Sequence, residues 1–352
     1  YRHFRRIRSC TQEVSFITIS SANTTMKIYY LVPVTDRPSW GMGIIYDHVA
    51  MLYQSGYDVS IIKEKDLYVP DWLKIKIPIH DYEFFKNEYS EDDILVVPEA
   101  MMNFPWLKKL RCHKILFIQN VAYMFEQMPK NEDHISLGFE HVIIIMPHME
   151  SIVEKHINLP YTTIIPYVAD YFFADDISVK RKRQILIYPK FHQIDYSIVK
   201  YLITRHIERT NKPWIKNILN NENWSIKELK NLSHTEVAEE MKNSTFLISL
   251  NAFEALNTSV TEAMAAGCIV FCYEGFGPRD FLRRGENAIV FNNNEAYSLV
   301  ESVCDWMDHF TEREESYWKM QEEGLTTANK YKRNIAQKQL LQFFADYSKI
   351  NS

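Results

Sequence analysis

Long apolar runs are missing from this sequence. The chain has 352 residues, 46% hydrophobic and 24% charged, and no uninterrupted apolar stretch reaches the roughly 18 residues that a membrane-spanning helix needs. An excess of basic residues is missing as well, because the formal net charge is -5. Proteins whose main ligand is nucleic acid usually concentrate such an excess on one face, so a nucleic-acid partner is not predicted.

The cysteine and histidine patterns exclude two further kinds of site. The five cysteines form no CxxC pair and are odd in number, so we expect a reducing compartment rather than a disulfide framework. The twelve histidines show neither the HxxxH nor the HExxH spacing of metal sites, and no metal or cofactor is predicted. Cys268 and Cys272 lie four positions apart in one predicted strand, where both would face the same side as small core residues.

Residues 1–25 differ from the rest of the chain. Several arginines precede a stretch rich in serine and threonine, and a first strand is predicted only from Met26 onward. The basic cluster is similar to the start of a secretory signal, but the segment from Val14 to Ile19 falls short of the apolar core of about 7 to 15 residues that such a signal needs. We therefore expect residues 1–25 to be a non-native or disordered extension and the protein to be cytoplasmic.

From Met26 onward, apolar segments alternate with amphipathic helical segments, which is typical of α/β proteins with parallel sheets. The length fits two domains of about 150 residues each. We expect the first domain at residues 26–168 and the second at 176–330, with a helix predicted from Trp318 to Tyr347. The strands predicted in the first domain are Ile28–Val32, Val59–Ile62, Ile94–Val97, Ile115–Ile118, Val142–Met146 and Thr163–Pro166; the second domain begins with Gln184–Tyr188.

The most informative segment is the nine residues from Glu254 to Glu262, which set two carboxylates eight positions apart. The preceding run Ser244–Leu250 predicts a buried strand. Ser259 and Glu262 have the spacing of a capping box that opens a helix, and Gly267 is placed to end it. The backbone N–H groups at such a helix start suit a diphosphate, and the two acids could accept hydrogen bonds from sugar hydroxyls. Alternatively, Glu262 is only the capping partner of Ser259, and Glu254 is a solvated loop acid.

This segment resembles the E-x7-E motif of retaining glycosyltransferases of the GT-B fold, in particular family 4. The resemblance extends over residues 26 to 345 and includes Leu232–Met241, Cys268–Gly275, Arg284–Phe291 and the segment Pro166–Asp170, which is similar to the hinge of that family. It implies two facing Rossmann-like domains with parallel sheets and a cleft between them. It also implies that residues 331–352 form a helix that crosses back to the N-terminal domain.

The resemblance implies a donor site for a nucleotide-diphosphate sugar, a substrate rather than a cofactor, with no metal. Glu262 would bind ribose hydroxyls and Glu254 the sugar, while Asn257, Thr258, Ser259 and Lys190 would bind the diphosphate. Lys190 and Glu254 are the expected catalytic residues. Lys190 could instead be a solvated loop lysine, because Asp195 stands where the family has a second basic residue. Asn257 and Ala255 replace glycines of the family pattern, so we expect side chains to narrow the sugar pocket.

Two features of the first domain complete the expected donor site. Gly41 and Gly43 lie in a predicted glycine loop after the first strand, ahead of a helix from Ile44 to Gln54, and such loops let backbone approach an anion closely. A lone G-x-G is more often a plain turn. Gln119 stands where many family members have a histidine beside the donor sugar, and a glutamine there suggests a rhamnosyltransferase-like enzyme. Because glutamine cannot titrate, this position offers no general base.

The expected acceptor is a glycan or a lipid-linked glycan that enters from the first domain. The basic segment Trp106–Lys114 could form an amphipathic helix that contacts an anionic membrane, although a solvated helix face explains it as well. Two other functions stay open. One is a catalytically degenerate binding or scaffold protein, suggested by Gln119 and Asp195, and the other is a sugar-nucleotide epimerase, which would have no reason to contain the E-x7-E motif.

Overall fold

The computed structural model describes residues 26–33, 39–64, 76–189, 193–213, 215 and 223–351. The expected extension at residues 1–25 and the catalytic candidate Lys190 lie outside the described residues. The elements of the first half are β1 Ile28–Leu31, α1 Trp40–Gln54, β2 Val59–Ile62, β3 Ile79–His80, α2 Tyr82–Glu88, β4 Ile94–Pro98, β5 His113–Ile118, α3 Val121–Glu126, β6 Phe139–Ile144, α4 Glu150–His156 and β7 Tyr161–Thr163. Those of the second half are β8 Lys182–Ile187, α5 Gln193–Thr210, β9 Ser225–Glu228, α6 His234–Asn243, β10 Ser244–Ser249, α7 Thr258–Ala266, β11 Ile269–Tyr273, β12 Ile289–Phe291, α8 Ala296–Asp308, α9 Glu314–Ala328 and α10 Arg333–Asn351.

The first sheet has seven parallel strands in the order β3-β2-β1-β4-β5-β6-β7. Every residue of its central strands β1 and β4 is buried. Such continuous apolar runs are the pattern of strands covered by helices on both faces. The six strands predicted from sequence are all present, with ends that shift by a few residues, whereas the two-residue edge strand β3 was not predicted.

The second sheet has five parallel strands in the order β12-β11-β10-β8-β9. Alternate side chains of β10 pack in two different hydrophobic clusters. Leu247 belongs to the larger cluster, which includes residues of α7, and Phe246 and Ile248 belong to the smaller cluster, which includes residues of α5 and α8. This period of two is the geometry of a strand. Cys268 and Cys272 both join the large cluster and are buried, which confirms their predicted role as core residues.

The C-terminal segment forms two helices rather than the single predicted one. A 3-10 turn at Asn329–Tyr331 separates α9 from α10, and the backbone N–H of Val168 donates to the carbonyl of Tyr331 at 2.8 Å. Helix α10 then packs on the first half of the chain, where Phe344 contacts Tyr30 and the hydroxyl of Tyr347 donates to Glu140 at 3.1 Å. The chain therefore has two α/β units, each built on a parallel sheet, and its last helix contacts the first unit. The exact domain boundaries stay predictions.

The prediction of an amphipathic helix at Trp106–Lys114 is wrong. Only Leu107–Lys109 is helical, as a single 3-10 turn, and β5 begins at His113. Lys114 is buried, and its ammonium donates to the carbonyls of Leu110 at 2.9 Å and Leu137 at 3.0 Å, so it belongs to the interior and not to a basic surface. Among the described residues, we find no helix that combines the length and the apolar composition needed to cross a membrane.

Candidate functional site

Eight residues separate the end of β10 from the start of α7, and the N-terminus of α7 differs from the predicted capping box. The helix starts at Thr258 with Asn257 as N-cap, so Ser259 lies inside the first turn and Glu262 lies beyond it. The Ser259 hydroxyl donates to Asn257 Oδ1 at 2.7 Å, and Asn257 Nδ2 donates to Ser249 Oγ at 2.9 Å. Because the cap position falls two residues earlier than predicted, the Ser259–Glu262 capping box does not form.

The same contacts decide where the Asn257 side chain points. It is 1% exposed and turned toward β10, and it makes no side-chain cap hydrogen bond. The first N–H groups of a helix have no partner within the helix, so this start of α7 presents donors and the positive end of a helix dipole. The expectation that Asn257 narrows the sugar pocket is wrong, since the amide fills the interior behind the helix start.

Gly267 ends α7, as predicted. Its φ of 82° is in the left-handed region, and its backbone N–H donates to Met264 O at 3.1 Å. A side chain there would be strained and would meet the guanidinium of Arg181.

Glu262 lies one turn and a half into α7 and is 6% exposed. His234, the first residue of α6, places its Nε2 3.0 Å from Glu262 Oε1, and its Nδ1 lies 2.6 Å from the hydroxyl of Tyr171. The neutral tautomer with its proton on Nε2 fits both contacts, because Tyr171 then donates to Nδ1 and Nε2–H donates to the carboxylate. Burial, followed by the charge of Glu262, raises the pKa of Tyr171 to about 12.

His234 was not identified from sequence, although the segment containing it was. Its position follows from a capping box at the start of α6, in which Ser233 Oγ accepts from the backbone N–H of Glu236 and the Glu236 carboxylate accepts from that of Ser233. His234 lies within this box, directly after Ser233. The helix start therefore fixes the imidazole against α7.

The charges of Glu254 and Glu262 both act on the residue at the end of β8. Tyr188 follows that strand directly, and burial raises its pKa, with the negative charges of Glu262 and then Glu254 raising it further. The phenol therefore lies in the field of both carboxylates of the E-x7-E segment. Nothing in the sequence pattern distinguished Tyr188 from the other tyrosines, because the three residues meet only in the folded sheet.

The loop that holds Glu254 rests on the loop after β11. The backbone N–H of Gly277 donates to Glu254 O at 3.2 Å, and that of Phe276 donates to Ala252 O at 3.0 Å. A Cβ at Gly277 would lie 1.6 Å from the carbonyl oxygen of Ala255, so only glycine allows this approach. The close packing positions Glu254 through backbone contacts, while its neighbour Ala255 is buried.

In the first half, Gly41 and Gly43 lie in the first turn of α1 and not in a loop before it, which corrects the prediction. Ser39 is the N-cap, and its hydroxyl accepts from Met42 N at 3.2 Å, so the helix starts at Trp40. Gln119 Nε2 donates to Gly41 O at 3.0 Å, and a Cβ at Gly41 would lie 2.2 Å from Gln119 Oε1. Two expected donor-site residues are thus in contact, and a Cβ at Gly41 would require the end of the Gln119 side chain to move.

Glu99, which the sequence analysis missed, holds the strand end that bears Gln119. It directly follows β4, is 3% exposed, and accepts hydrogen bonds from Gln119 N at 3.1 Å and Asn120 N at 2.9 Å. Burial raises its pKa to about 7, although the two N–H donors oppose that shift. The only signal in the sequence was an acid at the carboxyl end of an apolar strand, where open α/β sheets place functional groups.

The position of Asp195 has a structural explanation. It lies in the first turn of α5, and its Oδ2 accepts from the hydroxyl of Tyr273 at 2.7 Å. That bond joins α5 to β11, so Asp195 supports the fold. Across the residues that the structure describes, no group of three or more His, Cys, Asp or Glu side chains is placed to hold a metal ion.

The fold is that of GT-B proteins. A sucrose-phosphate synthase from Thermosynechococcus elongatus superimposes with a TM-score of 0.65 at 10% identity, covering 92% of this chain and 99% of the other. The Anabaena protein HepE in complex with UDP superimposes with a TM-score of 0.63 at 10% identity, covering 91% and 100%, and HepE with UDP and glucose also matches. The prediction of two facing Rossmann-like domains is therefore confirmed.

The sequence is similar to those of glycosyltransferases. Residues 209–324 match the family described as glycosyl transferases group 1. An alpha-1,6-glucosyltransferase from Actinobacillus pleuropneumoniae serotype 7 (strain AP76) is 24% identical over 297 residues, which cover 81% of this chain and 79% of the relative. The family match includes the whole segment from β10 to α7, and together these comparisons support a group 1 glycosyltransferase.

Proposed function

We propose that this protein is a retaining glycosyltransferase that moves a hexose or deoxyhexose from a nucleotide-diphosphate sugar to a glycan or lipid-linked acceptor. The observation that carries the proposal is the pair of carboxylates on either side of the start of α7, with Glu254 in the loop before the helix and Glu262 within it. The match of residues 209–324 to group 1 glycosyltransferases supports it, since this segment lies within that range. The complex of HepE with UDP and glucose makes UDP-glucose the first donor to test.

The diphosphate would lie at the N-terminus of α7. The backbone N–H groups of Thr258 and Ser259 suit phosphate oxygens, and the helix dipole adds positive potential there. Since the Asn257 amide is turned inward, a phosphate can approach the backbone. In this proposal Lys190, which follows β8 by three residues, supplies the compensating positive charge for the departing nucleotide.

The two carboxylates would recognise hydroxyl groups. Glu262 would accept from the ribose and Glu254 from the transferred sugar, because an ionised carboxylate has room for several hydrogen-bond donors. His234 holds one oxygen of Glu262 at 3.0 Å, which fixes the orientation of the carboxylate before the ligand arrives. Tyr188, whose raised pKa keeps its hydroxyl neutral, would offer a further hydrogen-bonding group near the two acids.

The reaction would proceed on one face of the sugar. The bond from the anomeric carbon to the diphosphate oxygen breaks, the acceptor oxygen bonds to the same face, and the acceptor proton passes to a phosphate oxygen of the leaving group. Gln119 can hydrogen-bond the sugar but cannot accept this proton. The protein's part is to stabilise the separated charge with Lys190 and the helix N-terminus, and we expect this to make a divalent metal unnecessary.

The test is a transfer and hydrolysis assay with UDP-glucose and other nucleotide hexoses and deoxyhexoses, followed by NMR of the product's anomeric proton. The variants are Glu254→Gln and Lys190→Ala, with Glu322→Gln and Lys319→Ala as exposed controls on α9. We expect the product to have the same anomeric configuration as the donor. Both site variants should lose at least a hundredfold in rate. Both control variants, and the wild type in the presence of a chelator, should keep the wild-type rate.

The same assay separates the alternatives. Neither hydrolysis nor transfer of any donor would favour a scaffold protein. Interconversion of the donor sugar without transfer would identify an epimerase. A product with inverted configuration would reject the retaining mechanism while leaving glycosyl transfer in place.

A further inference from the structure

We propose that a cavity between α3 and the loops after β10, β11 and β12 binds a neutral pyranose of the acceptor, which stacks on the rings of Tyr123, Phe125 and Phe253. The cavity has a volume of about 500 Å³. This inference rests on the proposed function and specifies its acceptor. It gives a role to three exposed aromatic side chains.

The cavity adjoins the candidate donor site on both sides of the cleft. Its first-half wall begins at Asn120, the residue after Gln119, and its second-half wall includes Phe253, the residue before Glu254. A ligand in this cavity therefore lies next to the two positions expected to contact the donor sugar. An acceptor must occupy such a place, because its attacking oxygen has to reach the anomeric carbon.

The aromatic rings of this cavity are unusually exposed. Tyr123 is 50% exposed, Phe125 58% and Phe253 71%, although most large apolar side chains of the chain are buried. Three such rings around one concave surface mark a ligand or partner site rather than scattered surface residues. The C–H bonds on one face of a pyranose suit the electron-rich face of an aromatic ring, so stacking recognises a sugar without a charge.

Two side-chain amides supply directional contacts. Asn120 Oδ1 accepts from Ala122 N at 3.0 Å, and Asn293 Oδ1 accepts from Gly275 N at 3.2 Å. These bonds fix the oxygen of each amide on the backbone, so each Nδ2 faces away from that backbone donor. Amide N–H groups of fixed orientation are suitable partners for sugar hydroxyls.

The charges favour a neutral ligand. Of the residues that line the cavity in the described part of the chain, Arg279 alone is charged, and its guanidinium lies 5.2 Å from the ring of Phe276. Anionic groups such as the diphosphate of a lipid carrier are usually bound by several cationic side chains. A lipid carrier would therefore extend outside the cavity, with only the sugar inside.

The distance between the two walls is set by a contact across the cleft. Asp280 Oδ2 accepts from the backbone N–H of His148 at 2.9 Å and lies 2.8 Å from His148 Nδ1. The His148 ring also packs on Phe276 with centroids 5.1 Å apart. This contact holds the loop of Phe276 and Arg279 against the first half of the chain, so the cavity is formed before a ligand binds.

The experiment measures sugar binding directly by NMR and also through the KM of the sugar in the transfer reaction. Saturation-transfer NMR of the complete chain with methyl α- and β-glycosides of glucose, galactose, mannose and N-acetylglucosamine tests whether any neutral pyranoside binds. Phe125→Ala and Phe253→Ala are compared with Phe253→Tyr, which keeps the ring, and with Tyr297→Ala, an exposed aromatic on α8 that is 66% exposed. Donor affinity and donor hydrolysis are measured for every variant.

We expect at least one pyranoside to bind, and both alanine variants to raise its KM at least tenfold with donor affinity and hydrolysis unchanged within twofold. Phe253→Tyr and Tyr297→Ala should resemble the wild type. The same pyranoside carrying an octadecyl chain, presented in phosphatidylcholine vesicles, distinguishes a lipid-linked acceptor from a free glycan. A KM lower than that of the free glycoside indicates a lipid-linked acceptor. An equal KM indicates a free glycan.

No pyranoside binding to the wild type, or an unchanged KM in both alanine variants, would overturn the proposal. Loss of donor affinity in those variants would also overturn it, by assigning the cavity to the donor. Failure of the proposed function would give a different result. The pyranoside would bind, and binding would depend on the rings of Phe125 and Phe253, but the protein would neither hydrolyse nor transfer any donor.

Discussion

The side-chain amide of Gln119 donates a hydrogen bond of 3.0 Å to the backbone carbonyl of Gly41, which joins the end of β5 to the first turn of α1. The contact leaves no space for a Cβ at residue 41, because that atom would lie 2.2 Å from Gln119 Oε1.

Gly41→Ala should therefore displace the Gln119 amide while leaving the fold intact. Alanine favours a helix by about 1 kcal/mol relative to glycine, which offsets the cost of moving a flexible side chain. We expect a free energy of unfolding within about 1 kcal/mol of the wild type and a transfer rate reduced roughly tenfold. Urea denaturation and the transfer assay measure the two effects.

The double variant Gly41→Ala with Gln119→Ala provides the control. Removing the glutamine side chain makes space for the new methyl group, so the second substitution should reduce the rate little beyond the first. Full additivity of the two losses in rate would contradict a shared contact.

His234→Ala should weaken donor binding through Glu262. The imidazole holds Glu262 Oε1 at 3.0 Å, and without it the carboxylate loses its fixed orientation. A hydrogen bond to a charged group contributes about 1.5 to 3 kcal/mol at most, and the half-exposed histidine should contribute less, so we expect about a tenfold rise in Kd. Isothermal titration with the nucleoside diphosphate measures it. An unchanged Kd would show that Glu262 is oriented by other contacts.

Glu99→Gln should change how stability depends on pH. Burial raises the pKa of Glu99 to about 7, so between about pH 4.5 and 7 the folded protein retains a proton that the unfolded chain has lost. Stability from this group is fully present below pH 4.5 and is lost as the pH rises to about 7. At about 1.4 kcal/mol per pKa unit, the loss is at most about 3 kcal/mol.

Urea denaturation of both proteins at pH 4.5 and pH 8 isolates this effect. From pH 4.5 to pH 8, the stability of the wild type relative to Glu99→Gln should fall, because only the wild type has the Glu99 carboxyl. The other titrating groups are common to both proteins and cancel from the difference. A constant difference would mean that the carboxyl titrates normally.

Gly277→Ala should destabilise the loop that holds Glu254. The new methyl group would lie 1.6 Å from the carbonyl oxygen of Ala255, a backbone atom that cannot move without the whole loop. We expect a loss of about 3 kcal/mol or more in the free energy of unfolding, as for a severely overpacked site. Differential scanning calorimetry measures the accompanying fall in Tm.

Gly285→Ala is the matched control. Gly285 has a φ of 78° but no heavy atom within 4 Å of a built Cβ, so it tests backbone strain without steric overlap. Its expected cost is about 1 to 2 kcal/mol. A cost for Gly277→Ala no larger than this would contradict the packing between the two loops.

The buried strands could be predicted from sequence because both of their faces are covered, which produces continuous apolar runs such as Ile94–Pro98. The edge strands β3 and β9 could not. β3 has two residues, and β9 has the sequence Ser-Ile-Lys-Glu, whose polar side chains reflect its exposed edge. The amphipathic interpretation of Trp106–Lys114 failed for a related reason, since the acceptors of Lys114 are carbonyls supplied by the tertiary fold.

The candidate site could be predicted only where its parts are adjacent in the sequence. The strand, the helix and Gly267 follow one another along the chain, but a Ser-x-x-Glu spacing does not determine which residue is the N-cap. Asn257 takes that position because Ser249 and Ser259 bind its side chain. Glu99, Tyr188 and His234 come from three separate parts of the sequence, so their contacts with the predicted residues depend on how the strands and helices pack.

Binding of nucleotides is the most direct test of the account. Isothermal titration of UDP, and then of the other nucleoside diphosphates, should be carried out with the wild type, Glu262→Gln, Lys190→Ala and the control Glu322→Gln. We predict that one nucleoside diphosphate binds the wild type and the control equally and that both site variants weaken it at least tenfold. Equal binding to all four proteins, or no binding of any nucleoside diphosphate, would contradict the proposed donor site.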